Sequence, residues 1–349
     1  MLSILDKQAA AKRLADSVMT RFSILDLAPI QEGGNAAQSF RQSLELAQQA
    51  EGWGYQRFWL AEHHGMPGIA SAATAVLIAH IAGGTRSMRI GAGGIMLPNH
   101  SPLVIAEQFG TLESLFPGRI DLGLGRAPGS DQRTARALRR SLQSDADAFP
   151  EDVAELLDYF SDEPSAPVRA VPGTGLHVPV WILGSSLYGA QLAAMMGLPY
   201  AFASHFAPQQ LMEAITLYRQ LFRPSAYLQK PYVMAGFNVF AADTDEQAHW
   251  LASSAQQAFL NLRSGRPAKI PPPVEGFLQQ ISEAERYLLQ QILACSAIGD
   301  AATVKAQILQ FVQQTGVDEL MVASNIFDHQ ARLRSYEILA EQFPLLTPR

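Results

Sequence analysis

Glu62, His63 and His64 stand together in the stretch WLAEHHGMPG (59–68), where an apolar run stops and gives way to Gly and Pro. The chain has 349 residues and 8 His, so two of them side by side behind a carboxylate ask for a reason. Three readings are open. In the first, Glu62 and His64 make structural hydrogen bonds within a loop. The second is a metal site, but adjacent residues of extended chain point to opposite faces and no H-x-H occurs, so no metal is expected. The third is a single general acid/base, because an imidazole exchanges protons near neutrality.

Three further stretches carry residues suited to binding. GLGRAPG (123–129) has Pro128 at the sixth position of a G-x-G-x-x-G and no following Gly-Lys-Ser/Thr, which rejects the Rossmann and P-loop templates. What remains is Arg126 projecting from a glycine-lined strand end, suited either to a phosphate or to a salt bridge at the rim. In LGSSLYGAQLAA (183–194) Gly184, Ser185 and Ser186 open directly onto a helix, whose first N–H groups attract anions. Ser185 or Ser186 is equally suited to a plain N-cap. Ser186 is no hydrolase nucleophile, since G-x-S-x-G would need glycine where Tyr188 stands. In IGAGGIMLP (90–98), Gly93 and Gly94 either relieve crowding in a strand or let the backbone approach a flat ligand.

These residues follow a regular rhythm. Apolar, β-leaning runs at 22–27, 57–60, 88–95, 119–124, 178–183, 200–203, 232–241 and 319–322 alternate with helical patterns. Helices are predicted near 40–50, 72–82, 103–116, 190–196, 208–222 and 330–342, the first with Asn35 or Ser39 as its N-cap. Eight strands separated by helices imply parallel pairing and a (β/α)8 TIM barrel. Active sites of such barrels form at the C-terminal strand ends, where all the residues singled out above lie. The predicted organisation is an N-terminal appendage over 1–21 and one barrel domain over 22–349. An insertion over about 242–299, with its Pro271-Pro272-Pro273, falls between strand seven and its closing helix and reads as a lid or a dimer-side decoration.

Composition narrows the function. A formal net charge of -6 gives no electrostatic footprint for nucleic acid or an anionic membrane. A single cysteine, Cys295, excludes an intramolecular disulfide and a Cys-rich metal site. No apolar run approaches the roughly 20 residues that span a bilayer, and the N-terminal segment lacks a signal peptide's apolar core. A cytoplasmic protein is expected.

Taken together, WLAEHH, IGAGGIMLPNHSPLVIAEQFGTLESLFPGRIDLGLGRAPGSD and PVWILGSSLYGAQLAAMMGLPYAFASHF resemble the bacterial luciferase-like flavin-dependent monooxygenases, and among them the uncharacterised enterobacterial members. The similarity covers roughly 22–343, with motifs in the same order and at compatible spacing. It implies a (β/α)8 barrel with a late insertion, a homodimer, and FMN used as a dissociable reduced substrate (FMNH2). By this resemblance His63 is the catalytic histidine and Glu62 its carboxylate neighbour. Gly93-Gly94 becomes a non-prolyl cis peptide beneath the flavin ring, and Arg126 binds the phosphate. Gly184, Ser185, Ser186, Tyr188 and Gly189 form the loop that cradles ring edge and phosphate. Bacterial luciferase itself has a glutamate at the place of Ser185 and small residues near Tyr188, so its aldehyde substrate and light output do not carry over. The implied reaction is oxygenation of a small organic substrate by FMNH2 and O2 through a C4a-(hydro)peroxyflavin. The absence of a nicotinamide-binding Rossmann unit implies a separate flavin reductase as partner. An NAD(P)H- or deazaflavin-dependent reductase on the same barrel and a non-catalytic flavin-binding protein stand as alternatives.

Overall fold

The computed structural model describes residues 20–127, 134, 137, 138, 148–165 and 167–343. Its strands are β1 (Arg21–Asp26), β2 (Arg57–Leu60), β3 (Arg89–Met96), β4 (Ile120–Gly125), β5 (Val180–Gly184), β6 (Tyr200–Phe202), β7 (Val233–Ala241), β8 (Ser296–Gly299) and β9 (Glu319–Ala323). All pair in parallel. Seven neighbours in sequence, β1 to β7, are followed in space by β9, which pairs back onto β1 and closes an eight-stranded barrel. The helices are α1 (Ala36–Trp53), α2 (Thr74–Gly84), α3 (Pro102–Leu115), α4 (Phe149–Phe160), α5 (Leu187–Met196), α6 (Leu211–Leu221), α7 (Asp245–Arg263), α8 (Phe277–Gln280), α9 (Glu283–Ile292), α10 (Ala301–Thr315) and α11 (His329–Gln342). The (β/α)8 architecture expected from the sequence is therefore the one observed. The start of α1 is set by Asn35, whose side chain accepts the Gln38 N–H, and its end by Gly54 at φ 89°, a left-handed conformation glycine adopts without strain. No helix among the described residues is long and apolar enough to cross a membrane.

Period-two alternation along the strands divides the apolar residues between two cores. Phe58 and Leu60 of β2 point outward and join Ile90, Leu122, Ile182, Phe202 and Val322 beneath the helices. Trp59 points inward and meets Leu25, Trp181, Met234 and Met321 in the lumen. The two indoles pack edge to face, with centroids 5.2 Å apart. Two tryptophans fit inside an eight-stranded barrel because β3 turns glycines inward against them. A Cβ on Gly91 would lie 2.9 Å from Trp59 Nε1, and one on Gly93 would lie 2.8 Å from Leu25 Cδ1.

The floor of the lumen is ionic. Arg57, the first residue of β2, donates to Asp121 Oδ2 at 2.7 Å and to Glu319 Oε1 at 3.0 Å, and its guanidinium lies 4.9 Å from the Trp181 ring centroid. Arg89 donates to the other Asp121 oxygen at 2.6 Å, while Ser23 and Tyr232 donate their hydroxyls to Glu319. Burial alone would raise the Asp121 carboxyl, but Arg57 and Arg89 overcome it and hold it below the usual carboxylate range.

One element was not foreseen. The stretch 242–299 holds α7, α8, α9 and the ninth strand, β8, which pairs with β7 from Asn238 to Ala241. On that edge β6 pairs with the lower part of β7 and β8 with the upper part. Between α7 and α8 the chain runs as an extended strap to the loop after β1, two strands away in the closed order. There the Ile270 N–H donates to Ile30 O, the Glu32 N–H to Ile270 O, and Lys269 Nζ to Gly34 O, at 2.9, 2.9 and 2.8 Å.

Candidate active site

Glu62 follows β2 directly and is buried, with 1% of its surface exposed. Its oxygens take hydrogen bonds from four groups on two loops. His64 Nε2 lies 2.8 Å away, His100 Nε2 3.0 Å, the Met96 N–H 3.0 Å and Asn99 Nδ2 3.4 Å. Burial would raise the carboxyl, yet the hydrogen bonds from His100, His64 and the Met96 N–H more than offset this and keep it below the usual range. Glu62 is thus an anion that ties the loop after β2 to the short 3-10 turn after β3 (Leu97–Asn99). His64 is committed to that clamp. His63 is not, and its charge acts instead on His205, across the barrel mouth.

His205 follows β6, the strand opposite β2 in the closed order. On β7 the inward positions are Met234, Gly236 and Asn238, and the His205 ring occupies the place a side chain on Gly236 would need. Ser204 Oγ donates to Gly236 O at 2.6 Å and Asn238 Nδ2 to His205 O at 2.8 Å, which pins the backbone on both sides of the ring. Its Nδ1 is buried with no hydrogen-bond partner among the described residues. Burial first, and the charge of His63 second, bring its pKa down to about 4. It is a neutral imidazole facing an ionisable one.

β4 and β5 build the second part of the site. Arg126 leaves the end of β4, and its Cζ lies over the Tyr188 ring, 4.0 Å from the centroid. Among the described residues no carboxylate pairs with it. Tyr188 belongs to the first turn of α5, whose N-cap, Ser186, is extended at φ -143° and makes no side-chain capping bond. Its carbonyl is held by Tyr200 Oη at 3.2 Å. Gly184 and Gly189 pass within 3.5 Å of each other's backbone, measured from the place of a Cβ, which lets the turn from β5 into α5 close tightly. The result is an unpaired guanidinium beside a helix start whose N–H groups no side chain caps, a donor set that fits an oxyanion.

The peptide between Gly93 and Gly94 is cis. The β3–β4 register shifts between Ala92 and Ile95, around this peptide. A Cβ on Gly93 would run into Leu25 and Trp59, and one on Gly94 would lie 2.6 Å from Gly123 O. Crowding within the barrel already requires both glycines.

This order of features is shared. The luciferase-like monooxygenase family profile matches residues 20–319. A luciferase-like monooxygenase of Escherichia coli strain K12 is 58% identical over 318 residues, covering 91% of this chain and 95% of that protein. The chain belongs to the luciferase-like monooxygenase family. N-acetyl-S-alkylcysteine monooxygenase of Bacillus subtilis is 31% identical over 334 residues, covering 93% of this chain and 98% of that one. The crystal structure of apo-MsnO8 superimposes with a TM-score of 0.84 at 34% identity, covering 95% of this chain and all of that one (100%). The chain is therefore an oxidoreductase of this family.

Of the residues expected from the sequence, Glu62, His63, Gly93, Gly94, Arg126, Gly184, Ser185, Ser186, Tyr188 and Gly189 all lie at the C-terminal ends of four consecutive strands, β2 to β5. Pro128 and Gly129 of the GLGRAPG loop lie outside the described residues. Two residues acquire a part that the sequence alone did not assign. His100 is the second imidazole on Glu62, and Gly236 is the slot for His205. A histidine just past a glycine-rich strand end was the visible signal for His100; nothing local marks Gly236.

Proposed function

We propose that the protein is a monooxygenase that uses FMNH2 and O2 to oxygenate a small organic substrate. The observation that carries this is the pairing of two unlike sites on one rim. Arg126 and the uncapped start of α5 supply an oxyanion cradle, and His63 with His205 supplies two imidazoles across the mouth. Reduced flavin, when bound, supplies the activation of dioxygen, which no side chain here performs. Arg126, Ser185 and the first N–H groups of α5 would hold the phosphate. Gly184, Gly189 and the Gly93-Gly94 backbone would line the ring. His63 is the proton carrier, since its neighbour Glu62 is buried and fully hydrogen bonded and His205 stays neutral. Glu62 serves by fixing the loop from which His63 projects. The lumen below, lined by Trp59, Trp181, Met234 and Met321, keeps water out from beneath.

The reading extends to partners. Reduced flavin comes from a separate reductase, because the chain has no dinucleotide fingerprint of its own. The molecule works in the cytoplasm as a homodimer, for which the exposed Val76, Val104 and Leu115 on α2 and α3 are suited.

Anaerobic titration with FMNH2 followed by rapid mixing with oxygenated buffer tests the proposal. A saturable binding step is expected, then oxygen uptake that precedes the return of oxidised-flavin absorbance. Prompt oxidation of NAD(P)H by the protein and FMN alone would instead identify a reductase. Binding without any change in the course of reoxidation would identify a flavin carrier.

A further inference from the structure

The Arg126 guanidinium is the one part of the oxyanion cradle that depends on a long, rotatable side chain. An arginine on a loop carries substantial rotamer entropy, and ordering it on ligand binding weakens affinity. Here its guanidinium lies over a ring. Its Cζ is 4.0 Å from the Tyr188 centroid, and Tyr188 itself sits in the first turn of α5, partly buried against the outer core. The contact joins the ends of two neighbouring strands, β4 and β5, which pair as far as Gly125 and Leu183. A cation held by a ring face keeps its N–H groups as donors, and the ring that holds this one stands in the first turn of a helix whose N-cap makes no side-chain bond. No carboxylate among the described residues competes for it.

We infer that Tyr188 is a positioning residue for Arg126. Its ring holds the guanidinium in the binding geometry before any ligand arrives, and through Arg126 it sets how strongly a phosphate-bearing flavin is preferred over one without phosphate. This rests on the proposed flavin function. Tyr188 acts by its aromatic face, so its hydroxyl is dispensable and its ring is not.

The test measures FMN and riboflavin affinity for the parent, Tyr188→Phe, Tyr188→Leu, Arg126→Ala and the double variant Tyr188→Leu/Arg126→Ala. Tyr188→Leu should weaken FMN roughly threefold to tenfold while leaving riboflavin within about twofold, the scale of one lost cation–π contact and one newly mobile side chain. Tyr188→Phe should match the parent for both flavins. Arg126→Ala should weaken FMN by about tenfold to a hundredfold, again sparing riboflavin. In the Arg126→Ala background, Tyr188→Leu should cost FMN nothing further, and this non-additivity separates positioning from a general loss of packing. Equal losses for FMN and riboflavin in Arg126→Ala would remove the phosphate site itself. A phosphate-selective Arg126→Ala together with a Tyr188→Leu that is silent, additive or as harmful as Tyr188→Phe would overturn the role given to Tyr188 and leave the flavin function standing.

Discussion

The floor and the mouth of the barrel are both polar, and they treat polarity in opposite ways. At the floor, Arg57, Arg89, Asp121, Glu319, Ser23 and Tyr232 close on one another, and every charge has an opposite partner within a hydrogen bond. At the mouth, Arg126 has a ring but no carboxylate, His205 keeps Nδ1 without a partner, and the N-cap of α5 leaves its helix uncapped. The same strands bear both ends. Arg57 begins the strand that leads to His63, and Asp121 lies on the strand that leads to Arg126. Completed pairing belongs to the part that must only stand, and incomplete pairing to the part that must receive something. Glu62 is the exception at the mouth, a buried carboxylate satisfied in the manner of the floor.

The contrast can be broken most decisively at His63. His63→Ala should lower substrate turnover by about 10²–10⁴, leave FMN affinity within a few-fold, and change unfolding free energy by less than about 0.5 kcal/mol. Normal turnover in this variant, measured with oxygen uptake coupled to product, would move the proton transfer elsewhere. The floor should respond in reverse. Asp121→Asn strips the anion from between two arginines and should reduce stability by about 3–5 kcal/mol in urea unfolding, while the folded fraction binds flavin as the parent does. A loss below about 1 kcal/mol would mean the network is not the anchor that its burial suggests.

Glu62→Gln sharpens the comparison, because it perturbs a floor-like carboxylate placed at the mouth. It should cost about 1.5–3 kcal/mol of stability and also slow turnover, since it frees the loop that carries His63. Loss of one effect without the other would show that clamp and catalysis are separate. The smallest effect is expected from acid. The folded-state pKa of His205 is near 4 against an ordinary 6.5, so across that interval the unfolded chain binds a proton that the folded chain refuses. Stability therefore falls as pH falls through that window, and His205→Phe should flatten the slope in urea melts taken across it. Part of the slope should persist, because burial and Arg332 also lower His329. Asp121 and Glu62 act in the same direction at lower pH: their depressed values keep their contributions intact above the usual carboxylate range and lose them as pH falls through and below it. Parallel slopes for parent and variant would acquit His205.

Most of the barrel could be read from the sequence because each strand is an apolar run long enough to announce itself between helical patterns. β8 could not. Ser296–Gly299 is four residues whose strand character comes from pairing with β7. At the site, residue types and order were legible because they fall just past the strands, but their partners were not. Glu62 meets His100 across 38 positions of sequence, and Gly236 meets His205 only through the register of β6 on β7. Arg57 read as an ordinary strand residue, since nothing near it in sequence discloses that Asp121 and Glu319 close beneath it.

The strap and β8 together carry a mechanical consequence. At one end the segment after β7 is laced to the wall by the β7–β8 ladder, and at the other Ile270 and Lys269 are bonded to the backbone of the loop after β1. A cover fastened at one end swings like a door. This one is a beam fixed at both ends, and raising either end would break main-chain hydrogen bonds. Its stiffness comes from the Ile270 backbone bonds and the β7–β8 ladder, with Lys269 Nζ and Ser253 Oγ adding side-chain ties along the span.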